Sequence, residues 1–268
     1  MSRFYVCVFG TAVLSCWFAA STLFSAIPAH AQAAPANAQV QLGKKVFEDN
    51  CAKCHGRSGK GDGPDARRLG FHPRDFTLGA FKCRCTTTGQ PPSDADLMRS
   101  VTKGLPGTPM VPNGNLSEAD RSAVIEYVKT LSTAFRGGNV SSCPVQPSAP
   151  PRSPDLVAEG KALYEKMQCA HCHGASGRGD GPSASSLKDD WGNPIKPYNF
   201  VVLKQFKCGN EDADLFRTLQ TGMTGSPMPS FLEALSSGTE SMGEPQKRET
   251  VDHRTWAIVQ FLRTLAAQ

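Results

Sequence analysis

The sequence is poor in several features that would point to other classes of protein. No stretch alternates apolar and polar side chains with a two-residue period, which excludes an architecture of half-buried strands. Nothing after Gln32 is apolar for long enough to span a bilayer, which takes about 20 such residues. The formal charge is +5, yet the basic residues are scattered and no known nucleic-acid motif accompanies them, so DNA or RNA binding has no support. Histidine is scarce, at six residues, and no side chain is marked by its neighbours as a general acid or base.

Cysteine, in contrast, is present ten times and in a pattern. Cys51-Ala52-Lys53-Cys54-His55 recurs as Cys169-Ala170-His171-Cys172-His173, and Cys-x-x-Cys-His is the attachment signature of c-type haem. Two thiols three positions apart lie on one turn of helix and can add to the two vinyl groups of one porphyrin, while the following His meets the iron. Without that His the thiol pair would be ambiguous between zinc, a redox dithiol and a disulfide. The pattern predicts two covalently bound haem c groups, attached through Cys51 and Cys54 and through Cys169 and Cys172, with His55 and His173 as proximal ligands.

The motifs sit inside a longer repeat. Gly43 to Cys51 matches Gly160 to Cys169, Gly61-Asp62-Gly63-Pro64 matches Gly179-Asp180-Gly181-Pro182, and Phe81-Lys82-Cys83 matches Phe206-Lys207-Cys208. Pro73-Arg74-Asp75-Phe76 likewise answers Pro197-Tyr198-Asn199-Phe200, so the chain is a tandem duplication. Between the copies, residues 141–154 hold five prolines, a semi-extended linker. The expected organisation is a signal peptide over 1–31, a first domain over 37–136, a linker over 137–155 and a second domain over 156–268. The leader reading rests on Arg3, the apolar stretch from Phe4 to Ile27 and Ala29-His30-Ala31, with cleavage before Gln32; an uncleaved N-terminal anchor is the alternative, and a lipoprotein site at Cys16 ranks lower. Export implies the periplasm, an oxidising compartment in which c-type haem is attached.

Helical spacing of apolar residues predicts helices over 40–51 and 156–169, then 94–103 and 212–221, and finally 117–131 and 252–266, an all-α fold. With this much in place the chain resembles class I cytochromes c in two tandem halves. In that family a Gly and an aromatic on the first helix pack on an aromatic of the last, positions filled by Gly43, Phe47 and Tyr127 and by Gly160, Tyr164 and Phe261. The resemblance also implies a distal Met in a loop before the last helix. Met110 in Thr108-Pro109-Met110 and Met228 in Ser226-Pro227-Met228 answer that description, whereas Met98 and Met167 fall on helices, Met223 has Leu105 as its counterpart and Met242 has none. His72, His171 and His253 are read as non-ligands.

Four further cysteines remain, Cys83, Cys85, Cys143 and Cys208, an even number that suggests two disulfides. Cys83 and Cys85 are too close to pair comfortably, which leaves two arrangements. The matching positions of Cys83 and Cys208 favour Cys83 with Cys208 and Cys85 with Cys143; one of these thiols as an iron ligand is the alternative, as in some thiosulfate-oxidising dihaem cytochromes.

His/Met ligation fills all six iron positions and leaves none for substrate, so the resemblance implies single-electron relay between redox partner proteins, a donor dehydrogenase or cytochrome and an acceptor oxidase or reductase. The alternatives are a dihaem enzyme, such as a peroxidase or thiosulfate dehydrogenase, and a cytochrome subunit of a larger dehydrogenase or oxidase complex. Residues 37–136 hold fifteen Lys/Arg against ten Asp/Glu, and residues 156–268 twelve against thirteen. The basic first domain suits an acidic partner, unless haem propionates take up the excess.

Overall fold

The computed structural model describes residues 36–69, 72–137, 140, 143–144, 146–202 and 206–267; the expected leader, 1–31, lies outside them. Among the described residues there is no strand, only an isolated bridge between Lys188 and Pro194. No helix among them is long and apolar enough to cross a membrane.

Each half is built on a crossing of its first and last long helices. In the first half α1 (Ala36–Asn50) lies across α4 (Glu118–Thr130), with α3 (Asp94–Lys103) against α4, and the short α2 (Ala52–His55) carries the end of the first haem motif. Phe47 and Val46 from α1 and Val124, Ile125, Tyr127 and Val128 from α4 form a buried cluster at helical spacing. In the second half α5 (Pro154–Lys166) crosses α9 (Glu244–Ala266), and α6 (Cys169–His173), α7 (Asp212–Thr221) and α8 (Leu232–Ser236) complete the set. Tyr164, Phe216, Ile258, Val259 and Phe261 lead its separate buried cluster.

The crossings explain two glycines. A Cβ on Gly43 would lie 1.9 Å from the Ala123 carbonyl oxygen, and one on Gly160 would lie 1.9 Å from that of Ala257. Only a residue without a side chain lets the backbones approach this closely. The aromatics then meet beside each glycine, with ring centroids 5.2 Å apart for both Phe47–Tyr127 and Tyr164–Phe261.

Helix limits follow local chemistry. Ser93 and Asp96 form a reciprocal capping box at α3, Glu211 and Asp214 form its counterpart at α7, and the Ser117 hydroxyl accepts from the Asp120 amide at 3.0 Å. The expected middle helices match α3 and α7. α9, however, begins at Glu244 rather than Asp252, because Pro245 opens it and its polar first turns carry no apolar period to read. α5 likewise begins at Pro154, inside the expected linker, capped by Ser153. α8 has no counterpart in the first half; it delivers Leu235, which is fully buried.

The two copies differ at the buried aromatic of the first long helix. Tyr164 donates to the Gly174 carbonyl at 2.7 Å, whereas Phe47 holds the equivalent place without a hydroxyl. Tyr164→Phe is expected to destabilise the second half by about 1 kcal/mol and to leave haem content unchanged, read by chemical denaturation of the holoprotein.

The segment between the halves is fastened to α9. Gln260 is buried, donates to the carbonyls of Pro150 and Pro151 at 3.2 Å each, and accepts from the Ser153 amide at 3.2 Å. The halves also meet directly. Cys83 and Cys208 pair, as do Cys85 and Cys143, with Cα–Cα separations of 5.1 Å in both. Beside the first pair, Thr88 donates to the Thr221 carbonyl at 3.1 Å and the Thr221 hydroxyl donates to the Arg84 carbonyl at 3.2 Å.

Candidate functional site

Each haem motif forms a short turn of helix at the end of the first long helix. The Cys54 and His55 amides both donate to the Cys51 carbonyl, at 3.2 and 2.9 Å, so the two thiols and the imidazole project from one turn. Cys51, Cys54, Cys169 and Cys172 are partly buried and unpaired. Burial pushes the Cys51 and Cys169 thiols up to about 11, which keeps them protonated at neutral pH.

The imidazoles are oriented by backbone carbonyls. His55 donates through Nδ1 to the Arg74 carbonyl at 3.0 Å, and His173 does the same to the Tyr198 carbonyl at 3.0 Å. That bond selects the tautomer in which Nε2 carries the free lone pair, the form a metal requires. A phenyl ring backs each imidazole: Phe76 stacks on His55 with centroids 4.4 Å apart, and Phe200 on His173 at 4.7 Å. Burial lowers the affinity of both imidazoles for protons, so they stand neutral at physiological pH. Sequence reasoning misses these orienting acceptors, because a carbonyl has no side-chain signature; the repeated Pro-x-x-Phe of residues 73–76 and 197–200 is the signal that marks both turns.

The Met loops are as closely matched. The Leu105 amide donates to the Met110 carbonyl at 2.9 Å and the Met223 amide to the Met228 carbonyl at 3.0 Å, closing each loop at its neck. Inside, the Thr108 and Ser226 hydroxyls donate to the carbonyls of Leu105 and Met223, each at 2.7 Å. Met110 and Met228 are half-buried at the ends of these preset loops. The competing groups are placed elsewhere: Met98 lies on α3, Met167 at the end of α5, and Met242 is exposed. His72 and His171 are exposed, and His253 pairs with Glu159 at 2.8 Å.

The residues present fit a c-type haem in each half. Two free thiols, a neutral imidazole with its Nε2 available and a thioether on a constrained loop make the donor set. The charges fit as well. Arg74, Lys82 and Lys207 gather near the junction of the halves, where burial, then Lys207 and Arg74, push Lys82 down to about 8. Burial and Arg74 lower Lys207 too, while Asp189 is the acidic group that opposes the shift at Lys82. Such an excess of partly buried cations suits propionates. The Tyr198 hydroxyl is a further free donor, buried with no partner among the described residues.

Known proteins resemble this chain in sequence and fold. The family model described as cytochrome c matches residues 40–132 and again 157–266. The chain belongs to the cytochrome c family. Its two halves are therefore tandem cytochrome c domains, with helices and no strand among the described residues, and domains of this family hold covalently bound haem c. Among solved structures, a chain of the Kuenenia stuttgartiensis reducing HAO-like protein complex Kustc0457/Kustc0458 is similar at a TM-score of 0.76 and 37% identity, over 84% of this chain and 96% of that one. Among curated proteins, the Cbb3-type cytochrome c oxidase subunit CcoP of Azospirillum sp. (strain B510) is 27% identical over 74% of this chain and 57% of its own length. The CcoP subunit of Helicobacter pylori (strain 26695) is 27% identical over 52% of this chain and 39% of its own length. The chain thus spans less than two thirds of the curated relatives it matches.

Proposed function

We propose that this cytochrome is an exported, periplasmic carrier of single electrons, with one His/Met-ligated haem in each half. Cys51 and Cys54 would attach the first haem and Cys169 and Cys172 the second; His55 and Met110, and His173 and Met228, would be the axial ligands. A haem held in this way supplies a one-electron couple. The chain's residues do the rest. The Arg74 and Tyr198 carbonyls hold the proximal imidazoles in the correct tautomer, and Phe76 and Phe200 limit their rotation. The necked loops present the thioethers with little left to order on binding, so oxidation and reduction need little rearrangement. The observation that carries this reading is the repetition of the whole constellation, thiols, carbonyl-held imidazole and Met loop, in both halves. The cysteine pairs Cys83–Cys208 and Cys85–Cys143 are read as disulfides, in keeping with an oxidising compartment.

The partners are redox proteins, a donor and an acceptor. A second reading, that the chain works as the cytochrome subunit of a larger assembly, is favoured by its likeness to a subunit of Cbb3-type oxidases and to a chain of an HAO-like complex. It changes the partner and leaves the chemistry as it is.

Met110→Ala tests the ligand set. The variant should lose the long-wavelength sulfur-to-iron charge-transfer band of one ferric haem, lower that haem's potential and open it to cyanide, with the other haem's spectrum intact. Two unchanged spectra would remove Met110 from the proposal.

A further inference from the structure

The repeat is not symmetric where its halves meet. Arg84 follows Cys83 in the first half; the residue that follows the matching Cys208 is Gly209. Arg84 is 2% exposed and reaches across the junction: its Nε donates to the Thr224 hydroxyl at 3.0 Å and its Nη2 to the Thr221 carbonyl at 2.8 Å. Nη1 turns back to the Thr86 carbonyl at 2.6 Å. Thr221 ends α7, and Thr224 lies within the loop that closes on Met228. On the opposite side, Gly209 has no side chain to offer, and a cavity of about 230 Å³ opens between it and Lys103, Gly104, Leu105 and Pro106, the counterparts of residues 221–224.

A second arginine adds to the asymmetry. Arg74 lies over the Trp191 ring at 4.5 Å, and a Cβ on Gly225 would fall 2.5 Å from that ring and 2.9 Å from the Arg74 guanidinium, so the Met228 loop approaches both closely. The residue matching Arg74 is Tyr198, which is uncharged. The first half therefore lays two guanidinium groups on the Met loop of the second, and the second half returns neither.

The charge on Arg84 is not cancelled locally. Its three contacts are to two carbonyls and a hydroxyl, and among the described residues it makes no ion pair. The carboxylate that acts on it, Asp96, is already committed to Arg99 at 2.9 Å. Two lysines border the corresponding loop of the first half: Lys103 is exposed and so screened by solvent, and Lys207 is partly buried, with burial and Arg74 both acting against its charge, whereas a guanidinium stays charged. A buried cation acts through a lower dielectric and disfavours the extra positive charge of a ferric centre.

We propose that Arg84, a positioning residue outside the coordination sphere, raises the reduction potential of the second half above that of the first and so sets the direction of electron flow. This inference rests on the two His/Met haems proposed above. One electron arrives at the first half from the donor protein and passes to the second, which is reduced as the first is reoxidised; it then leaves to the acceptor protein. No bond is made or broken.

Potentiometric titration of the holoprotein, followed by absorption, tests this. Two one-electron waves are expected, and Met110→His, which alters only the first half's ligand, should move the lower wave and leave the upper in place. Arg84→Gln should then lower the upper wave, shifting the equilibrium between the haems roughly tenfold, equivalent to about 59 mV. Arg84→Lys, which keeps the charge but not the planar fork, should restore most of the separation. The inference is overturned if Met110→His moves the upper wave, a result that does not depend on Arg84→Gln folding, or if Arg84→Gln leaves both waves where they were. The charge-transfer band of the unmodified protein, recorded first, separates these results from a failure of the coordination itself: its absence would overturn both.

Discussion

A chain in which Cys169 and Cys172 are both alanine is expected to carry one haem in place of two and to lose the fold of its second half. The thiols are the covalent anchors, and His173 with Met228 alone would hold an exchangeable group. Cys169, Ala170, Tyr198 and Met228 all border the second core, so the porphyrin would form part of that interior. A domain of about a hundred residues has little core to spare. The alkaline pyridine haemochrome, measured per chain, should fall by half, and helical circular dichroism should fall with it. The same replacement at Cys51 and Cys54 should mirror this in the first half. An undiminished amount of haem that stays with the chain through acid–acetone extraction, in either variant, would refute covalent attachment at that motif.

Gly160→Leu is expected to have an effect of similar size without touching the haem chemistry. Its Cβ would enter the Ala257 carbonyl, and the neighbouring Phe261 Cβ is 3.0 Å away, so neither obstacle is a flexible side-chain end. α5 and α9 must separate, which exposes Tyr164 and Phe261 and costs on the order of 3 kcal/mol or more. Denaturant midpoints of the holoprotein should fall for the second half, and Gly43→Leu should do the same for the first, where Ala123 and Tyr127 are the obstacles. Gly137, where an added Cβ would meet nothing within 4 Å, is the control: Gly137→Ala should leave both midpoints in place.

What could be read from the chain alone was what repeats in it. The Cys-x-x-Cys-His turns, the Gly and aromatic pairs of the helix crossings and the Thr/Ser-Pro-Met loops each occur twice with the same spacing, so either copy supports the other. α3 and α7 were legible because apolar spacing and acidic caps agree. The start of α9 was not, since a helix that leaves its first turns in solvent shows propensity but no period. The acceptors of His55 and His173 are main-chain atoms, and a carbonyl belongs to every residue. Arg84 lay hidden for another reason. Its partners, Thr221 and Thr224, are far away in sequence and become its neighbours only when the halves dock, and the position is informative because it breaks the repeat.

The central claim is that both irons are closed, each by one His and one Met. It is tested most directly by the ferric absorption and magnetic circular dichroism spectra of the intact holoprotein, before and after cyanide. The account predicts a sulfur-to-iron charge-transfer band whose intensity corresponds to two haems per chain, with slow or no cyanide binding at either. A band worth one haem or none, with rapid cyanide binding, would contradict it and point to a site open for catalysis.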